Sequence, residues 1–323
     1  MREYVINVNP METRIALVED KRLAELTIER EEERSVVGNI YKGRVDGIVP
    51  GIQAAFIDIG LERNGFLYVG DIAGLEGTGD FDFEDTGGRK KKGSSRKGKQ
   101  PPIESILKKG QSIMVQVQKD TLGSKGVRLT NFVTLPGRYV VLMPTVSQIG
   151  VSRKIDNPKE RDRLKSTLRA FRKNKKYGLI IRTAGENQPK EEILSDLTYL
   201  NKLWDSIKDK MEKGNKVCLI REEFSPILKK VRDTFTADID RLTIDDPIHY
   251  NQIIEFLENF APHLRERCRL YAGRRPLFDK MGIEEEITRA LDRKVFLPSG
   301  GHICIDYTEA LIAIDVNTGK FTE

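Results

Sequence analysis

Three cysteines, three histidines and one tryptophan are a thin supply of special chemistry for 323 residues. Cys218, Cys268 and Cys304 stand far apart and make no C-x-x-C pair, which speaks against a disulfide framework or a thiolate metal site. Buried free thiols are the expected state. His249, His263 and His302 lie at no metal-ligand spacing from one another or from a cysteine. No apolar run approaches the ~20 residues a membrane-spanning helix needs. The opening "REYVINV" alternates like a strand and lacks a leader's apolar core, so a cytoplasmic protein is expected. Neither sign of charge dominates: 55 Lys and Arg against 49 Asp and Glu leave +6, a modest excess compatible with a polyanionic partner. The length exceeds one compact core, so two or three domains are expected.

What is present divides the chain by character. Runs at Tyr4–Val8, Thr13–Val18 and Leu23–Ile28 read as a β-meander, its last two strands joined by the charged turn Glu19-Asp20-Lys21-Arg22. From Gly38 to about Thr130 short strands recur with glycine punctuation, the pattern of a small barrel. Inside this stretch, about Gly77 to Gln100, "DFDFED" precedes "GRKKKGSSRKGKQPP". Such a segment buries too little apolar surface to fold alone and reads as a disordered insertion, either a solvated linker or a basic arm touching RNA backbone.

After Thr130 strands and helices alternate, which predicts α/β or α+β layers. Asn157 caps a helix from Pro158, and Ser225 caps a shorter one. Ile193, Leu197, Leu200, Trp204, Ile207 and Met211 recur at three-and-four spacing on a helix ended by Gly214, which makes Trp204 core rather than a stacking platform. Pro247 opens a helix expected to reach about Arg267, and another covers Ile283–Leu291. The last stretch is a β-pair turning at Ser299-Gly300-Gly301.

Two groups of residues carry candidate chemistry. Phe56 in "AAFIDIG" and Phe66 in "RNGFLYVG" stand beside glycines that let a ligand approach the backbone, and either ring serves as barrel core or as a base-stacking surface. Tyr41, Lys42, Gly43 and Arg44 add charge nearby, and Lys119 and Lys125 follow in a later strand-loop. At the far end Leu311–Ile314 reads as a short buried strand, with Asp315 at its tip and Asn317 two residues on, on the same face. A strand-end aspartate caps a loop or takes a hard cation.

The pattern "GxxYKGRVxxIxPGxxAAFIDIGxxRxGFLYVGDI", followed in order by "LPGRYVVLMP", "GLIIRTAG" and "LPSGGHICIDYTEALIAIDVNTG", resembles the bacterial ribonuclease E/G family. With "REYVINV" at the start, the likeness covers all but the Gly77–Gln100 insertion. It implies an α+β multidomain fold. Residues 1–37 and 227–290 would form a discontinuous RNase H-like α/β structural domain. Residues 38–129 would be an OB-fold RNA-binding barrel with its insertion at 77–100, residues 130–226 an α/β five-prime sensor, and residues 291–323 the beginning of a DNase I-like catalytic domain.

The resemblance also implies roles. Phe56, Phe66 and Lys125 would contact RNA. Gly137, Val141, Arg182 and Thr183 would bind the 5′-monophosphate of single-stranded RNA, arginine as a charged planar fork and threonine as a hydroxyl donor. Asp315 would be one of two aspartates holding a catalytic Mg²⁺, with Asn317 beside it. The second aspartate and a zinc-binding C-P-x-C link are expected beyond Glu323, so this chain alone should bind RNA without cutting it. The implied function is endonucleolytic cleavage of single-stranded RNA in rRNA processing and mRNA decay, by a homo-oligomer in full length. The competing reading is a non-catalytic RNA-binding or scaffold protein.

Overall fold

The computed structural model describes residues 1–30, 35–72, 82–83, 101–120, 126–172, 177–214, 216–236 and 238–319. Two compact units emerge: Met1–Arg34 with Phe235–Glu323, and Ser35–Thr234.

In the first unit the meander forms Arg2–Val8, Glu12–Glu19 and Arg22–Arg30, all antiparallel. Asp20 and Lys21, at φ 49° and 66°, make the two-residue turn between Glu19 and Arg22. Positive φ at both central residues is the hairpin turn whose twist suits flanking strands. Two parallel strands, Arg241–Ile244 and Cys268–Leu270, extend the sheet beyond Arg2–Val8. The helix Pro247–Phe260 connects them, capped by Asp246, whose Oδ2 accepts from the His249 N–H at 2.8 Å. It ends seven residues short of the expected Arg267. Pro262 has no N–H to continue the ladder, and a tight 3₁₀ turn, Pro262–Arg267, takes over. Val5, Ala16, Val18, Leu277, Phe278 and Ile283 form one buried cluster of this unit.

The closing strands Lys294–Phe296, His302–Tyr307 and Ile312–Asn317 make a separate antiparallel sheet. The last was expected to be buried and is not: Ile312, Ile314 and Val316 are each more than half exposed. Among the described residues it pairs along one edge only and both its faces are open.

In the second unit Ile40–Val49, Ala54–Asp58, Gly65–Tyr68, Arg128–Thr130 and Ser112–Lys119 pair in that spatial order, and the last returns to the first. This is a closed five-strand barrel whose one parallel pairing, Gly65–Tyr68 with Arg128–Thr130, is consistent with an OB fold. Ala55, Ile57, Leu67, Val115, Val117 and Leu129 fill it. Alternation along each strand therefore sends Phe56, Phe66 and Arg128 outward. Cys218 lies on a further edge strand, Cys218–Arg221, and is exposed rather than buried as expected, because the edge leaves that side uncovered.

The other sheet of this unit runs Leu135–Pro136, Val140–Met143, Gly178–Ile181, Ile149–Val151. Asp82–Phe83 adds to the free edge of Ile149–Val151, so two residues of the supposedly structureless insertion form backbone pairs; the rest of it lies outside the described residues. Helices Pro158–Arg172 and Lys190–Glu212 bury Leu164, Leu168, Ile193, Leu197, Leu200 and Ile207 against the sheet, and Trp204 packs on the same core.

Candidate functional site

Phe56 and Phe66 are direct cross-strand partners on the outer wall of the barrel, their rings edge to face at 6.0 Å. Phe56 is 38% exposed. The row continues across the strands: Arg128 lies opposite Phe66 and Lys119 opposite Arg128, both exposed. On the other side Gly47 faces Phe56, and a Cβ there would meet no neighbour within 4 Å. Two aromatics in line with two cations, on an open wall, suit flat rings joined by anionic linkages. Asp71 holds Arg128 in place, accepting from Nε at 3.1 Å and Nη2 at 2.8 Å. The sequence reading missed Arg128, although "VRLT" alternates in a way that turns it outward.

Lys42 does not belong to this wall. It is buried, and its Nζ donates to the carbonyls of Met211 and Gly214 at 2.5 and 2.6 Å, closing the end of the Lys190–Glu212 helix. Tyr41 is buried as well. Lys125 lies outside the described residues.

A second locus gathers around Gly137. Asp196 of the Lys190–Glu212 helix is 3% exposed and accepts three backbone N–H bonds, from Arg138 at 3.1 Å, Tyr139 at 2.8 Å and Val140 at 2.9 Å. A Cβ on Gly137 would lie 2.4 Å from Asp196 Oδ1, so only glycine lets the turn close on the carboxylate. Burial pushes the Asp196 carboxyl above its ordinary range, against the pull of those three N–H donors.

The Gly137 carbonyl faces Arg182, whose Nη1 donates to it at 2.9 Å and to Asp233 Oδ1 at 2.6 Å. Thr183 follows at the start of a short turn, its Oγ1 3.0 Å from Ser152 Oγ. Val141 is half-buried on the strand that pairs with Gly178–Ile181. The structure thus brings Gly137 and Arg182 into contact. Asp196 and Asp233, which hold the two in place, were not anticipated; the hint for Asp196 was a carboxylate set within the apolar stripe between Ile193 and Leu197.

In the first unit Asp315 and Asn317 share a face of the last strand, and Asn317 Nδ2 donates to Asp315 Oδ2 at 2.9 Å. Asp315 Oδ1 has no partner among the described residues. Asp306, on the neighbouring strand and the same face, is taken by Arg293, whose Nη2 reaches it at 2.8 Å. No cluster of three or more metal-ligating side chains occurs among the described residues.

Residues 134–323, which hold both the Gly137 locus and the Asp315 strand, match the model of the ribonuclease E/G family. The chain belongs to that family. It is 40% identical over 319 residues to Ribonuclease G of Escherichia coli (strain K12), covering 99% of this chain and 63% of that protein. Ribonuclease G of Haemophilus influenzae is likewise 40% identical over 319 residues, with 62% of its length covered. Ribonuclease E of Escherichia coli (strain K12) is 36% identical over 329 residues and only 29% of it is covered. The chain therefore spans less than two thirds of these relatives. Among the described residues no helix is long and apolar enough to cross a membrane.

Proposed function

We propose that the full-length protein of this ribonuclease E/G family member is an endoribonuclease acting on single-stranded RNA, with a preference for 5′-monophosphorylated ends. The observation that carries the RNA reading is the exposed row Phe56, Phe66, Arg128 and Lys119 on the barrel wall. Stacking on aromatic faces is indifferent to sequence but needs unpaired bases, which is why the substrate is single-stranded. Barrels of this type use the face of their second and third strands for oligonucleotides, and Phe56 and Phe66 lie on those two strands.

Arg182 supports the 5′-end reading. With Nη1 engaged by Gly137 and Asp233, its Nε and Nη2 have no partner among the described residues, and this edge matches two phosphate oxygens. Thr183 supplies a hydroxyl nearby.

Asp315 fits one ligand position for Mg²⁺, a hard ion that takes one or two carboxylates and keeps several waters. Its Oδ1 is open, and Asn317 fixes the other oxygen. When bound, Mg²⁺ supplies Lewis-acid polarisation of the scissile phosphate. Asn317 restrains the carboxylate so that its open oxygen keeps one direction.

The test is cleavage of a 5′-monophosphorylated oligonucleotide by full-length protein with Asp315→Ala, Phe56→Ala and Arg182→Ala variants alongside. Asp315→Ala should abolish cutting and leave RNA affinity unchanged, Phe56→Ala should weaken binding, and Arg182→Ala should erase the advantage of the monophosphate over a 5′-hydroxyl. Undiminished cleavage by Asp315→Ala would refute the catalytic assignment.

A further inference from the structure

Arg182 is held from one side, and the group that holds it is a carboxylate that is itself fixed. Arg232 donates to Asp233 through Nε at 2.8 Å and Nη2 at 3.3 Å, and Arg232 is buried, with Glu223 as a further partner at 3.2 Å. Asp233 cannot turn away from Arg182 without giving up both its contacts with a buried guanidinium, which would keep Glu223 alone. Burial acts to raise the Asp233 carboxyl, but the hydrogen bonds from Arg232 and Arg182 outweigh it and hold the group below the usual carboxylate range, so it is ionised at neutral pH.

We propose that Asp233 is a specificity and positioning residue of this anion site: it fixes Arg182 so that only the Nε–Nη2 edge is offered, and its permanent negative charge limits how much phosphate charge the site accepts. This deepens the reading of Arg182 as a 5′-phosphate clamp and rests on it. A terminal monophosphate brings a charge of roughly −1.5 to −2 at pH 7. A triphosphate adds about two more charges; taken at a separation of roughly 10 Å from Asp233, with near-surface dielectric and physiological salt, their repulsion by that one carboxylate amounts to about fivefold in affinity. The Asp233 charge thus disfavours longer phosphate chains relative to a single terminal phosphate.

Binding of oligonucleotides with 5′-hydroxyl, 5′-monophosphate, 5′-diphosphate and 5′-triphosphate ends, without divalent cations, tests this. Asp233→Asn keeps the shape and an acceptor for Arg182 but removes the charge. It should raise triphosphate affinity relative to monophosphate about fivefold, a change that a merely structural role would not produce. An unchanged ratio in the Asn variant overturns the proposal. The unmodified chain gives an independent readout. Repulsion lowers affinity stepwise from mono- to di- to triphosphate, whereas a single drop at the diphosphate with no further step overturns it. Arg182→Ala separates the two ideas. If it leaves the monophosphate preference intact, the clamp reading fails. If it abolishes the preference while Asp233→Asn changes nothing, only the role of Asp233 fails.

Discussion

Replacing Asp196 by alanine strips the acceptor from three buried N–H groups at once, those of Arg138, Tyr139 and Val140. Leaving one buried donor unsatisfied costs about 1–3 kcal/mol. Against the sum stands one gain: the variant no longer buries a carboxylate whose ionised form is disfavoured there. The net loss should be about 3–4 kcal/mol, and Asp196→Asn, which keeps an oxygen acceptor but turns an NH₂ toward a donor, should fall between. Trp204, the chain's single tryptophan, lies on the same helix and reports on this unit by fluorescence in a urea titration. With a slope of about 2 kcal/mol per M, the midpoint should drop by about 1.5–2 M. The pH dependence adds a second signature. Because the folded carboxyl titrates above its unfolded value of about 3.9, the native state binds the extra proton first, so Asp196 contributes more stability as pH falls through its folded pKa. The gap between the unmodified chain and the alanine variant should therefore widen on acidification. An alanine variant within 1 kcal/mol of the unmodified chain, or a gap that closes toward acid pH, refutes the reasoning.

Phe56→Ala should cost about 1–3 kcal/mol of single-stranded RNA binding in a fluorescence anisotropy titration, with the Trp204 urea midpoint unmoved; Phe56→Leu should not rescue it, because stacking needs a π face. Lys119→Ala should weaken all sequences alike and reduce the slope of log affinity against log salt by about 0.7, as expected for one contact with a single strand. Asp246→Ala should destabilise by about 1 kcal/mol, measured by thermal or urea unfolding, through loss of the cap on the Pro247–Phe260 helix. Burial raises the Asp246 carboxyl, but the N–H and ring of His249 outweigh it and hold it low, so this stabilisation is present above the unfolded value of about 3.9 and is lost as pH falls through the folded one; the alanine variant should lack that acid-side loss.

The barrel and the helix faces were legible in the sequence because both rest on short-range periodicity. Glycine-punctuated strands with alternating Ala55, Phe56 and Ile57 admit a small barrel, and the stripe through Ile193, Leu197 and Leu200 admits one helix face. The failures share a cause as well. Lys42 looked like a surface charge because a single lysine carries no periodic signal, and its partners, the Met211 and Gly214 carbonyls, lie far along the chain. Leu311–Ile314 was read as buried from its apolar run, but such a run reports the burial a segment suits and not whether anything described lies over it. The roles proposed for Arg182 and Asp315 rest on family resemblance, since each alone reads as an ordinary strand-end residue; the structure carries Asp315 inside the strand Ile312–Asn317 rather than at its tip, because pairing with His302–Tyr307 continues to Asn317.

The second unit ties its candidate binding features to its stability through one helix. Lys190–Glu212 supplies much of the core, and from its buried face Asp196 shapes the turn that presents the Gly137 carbonyl to Arg182. At its far end the same helix is closed by Lys42, a residue of the barrel's first strand, which also pairs with the strand carrying Lys119. Barrel wall and Arg182 locus therefore stand on a common frame of buried polar contacts rather than on independent loops. Such contacts are geometrically demanding and stabilise only when every partner is present. That is the property the proposed RNA-binding role asks of a frame holding a guanidinium edge in one direction.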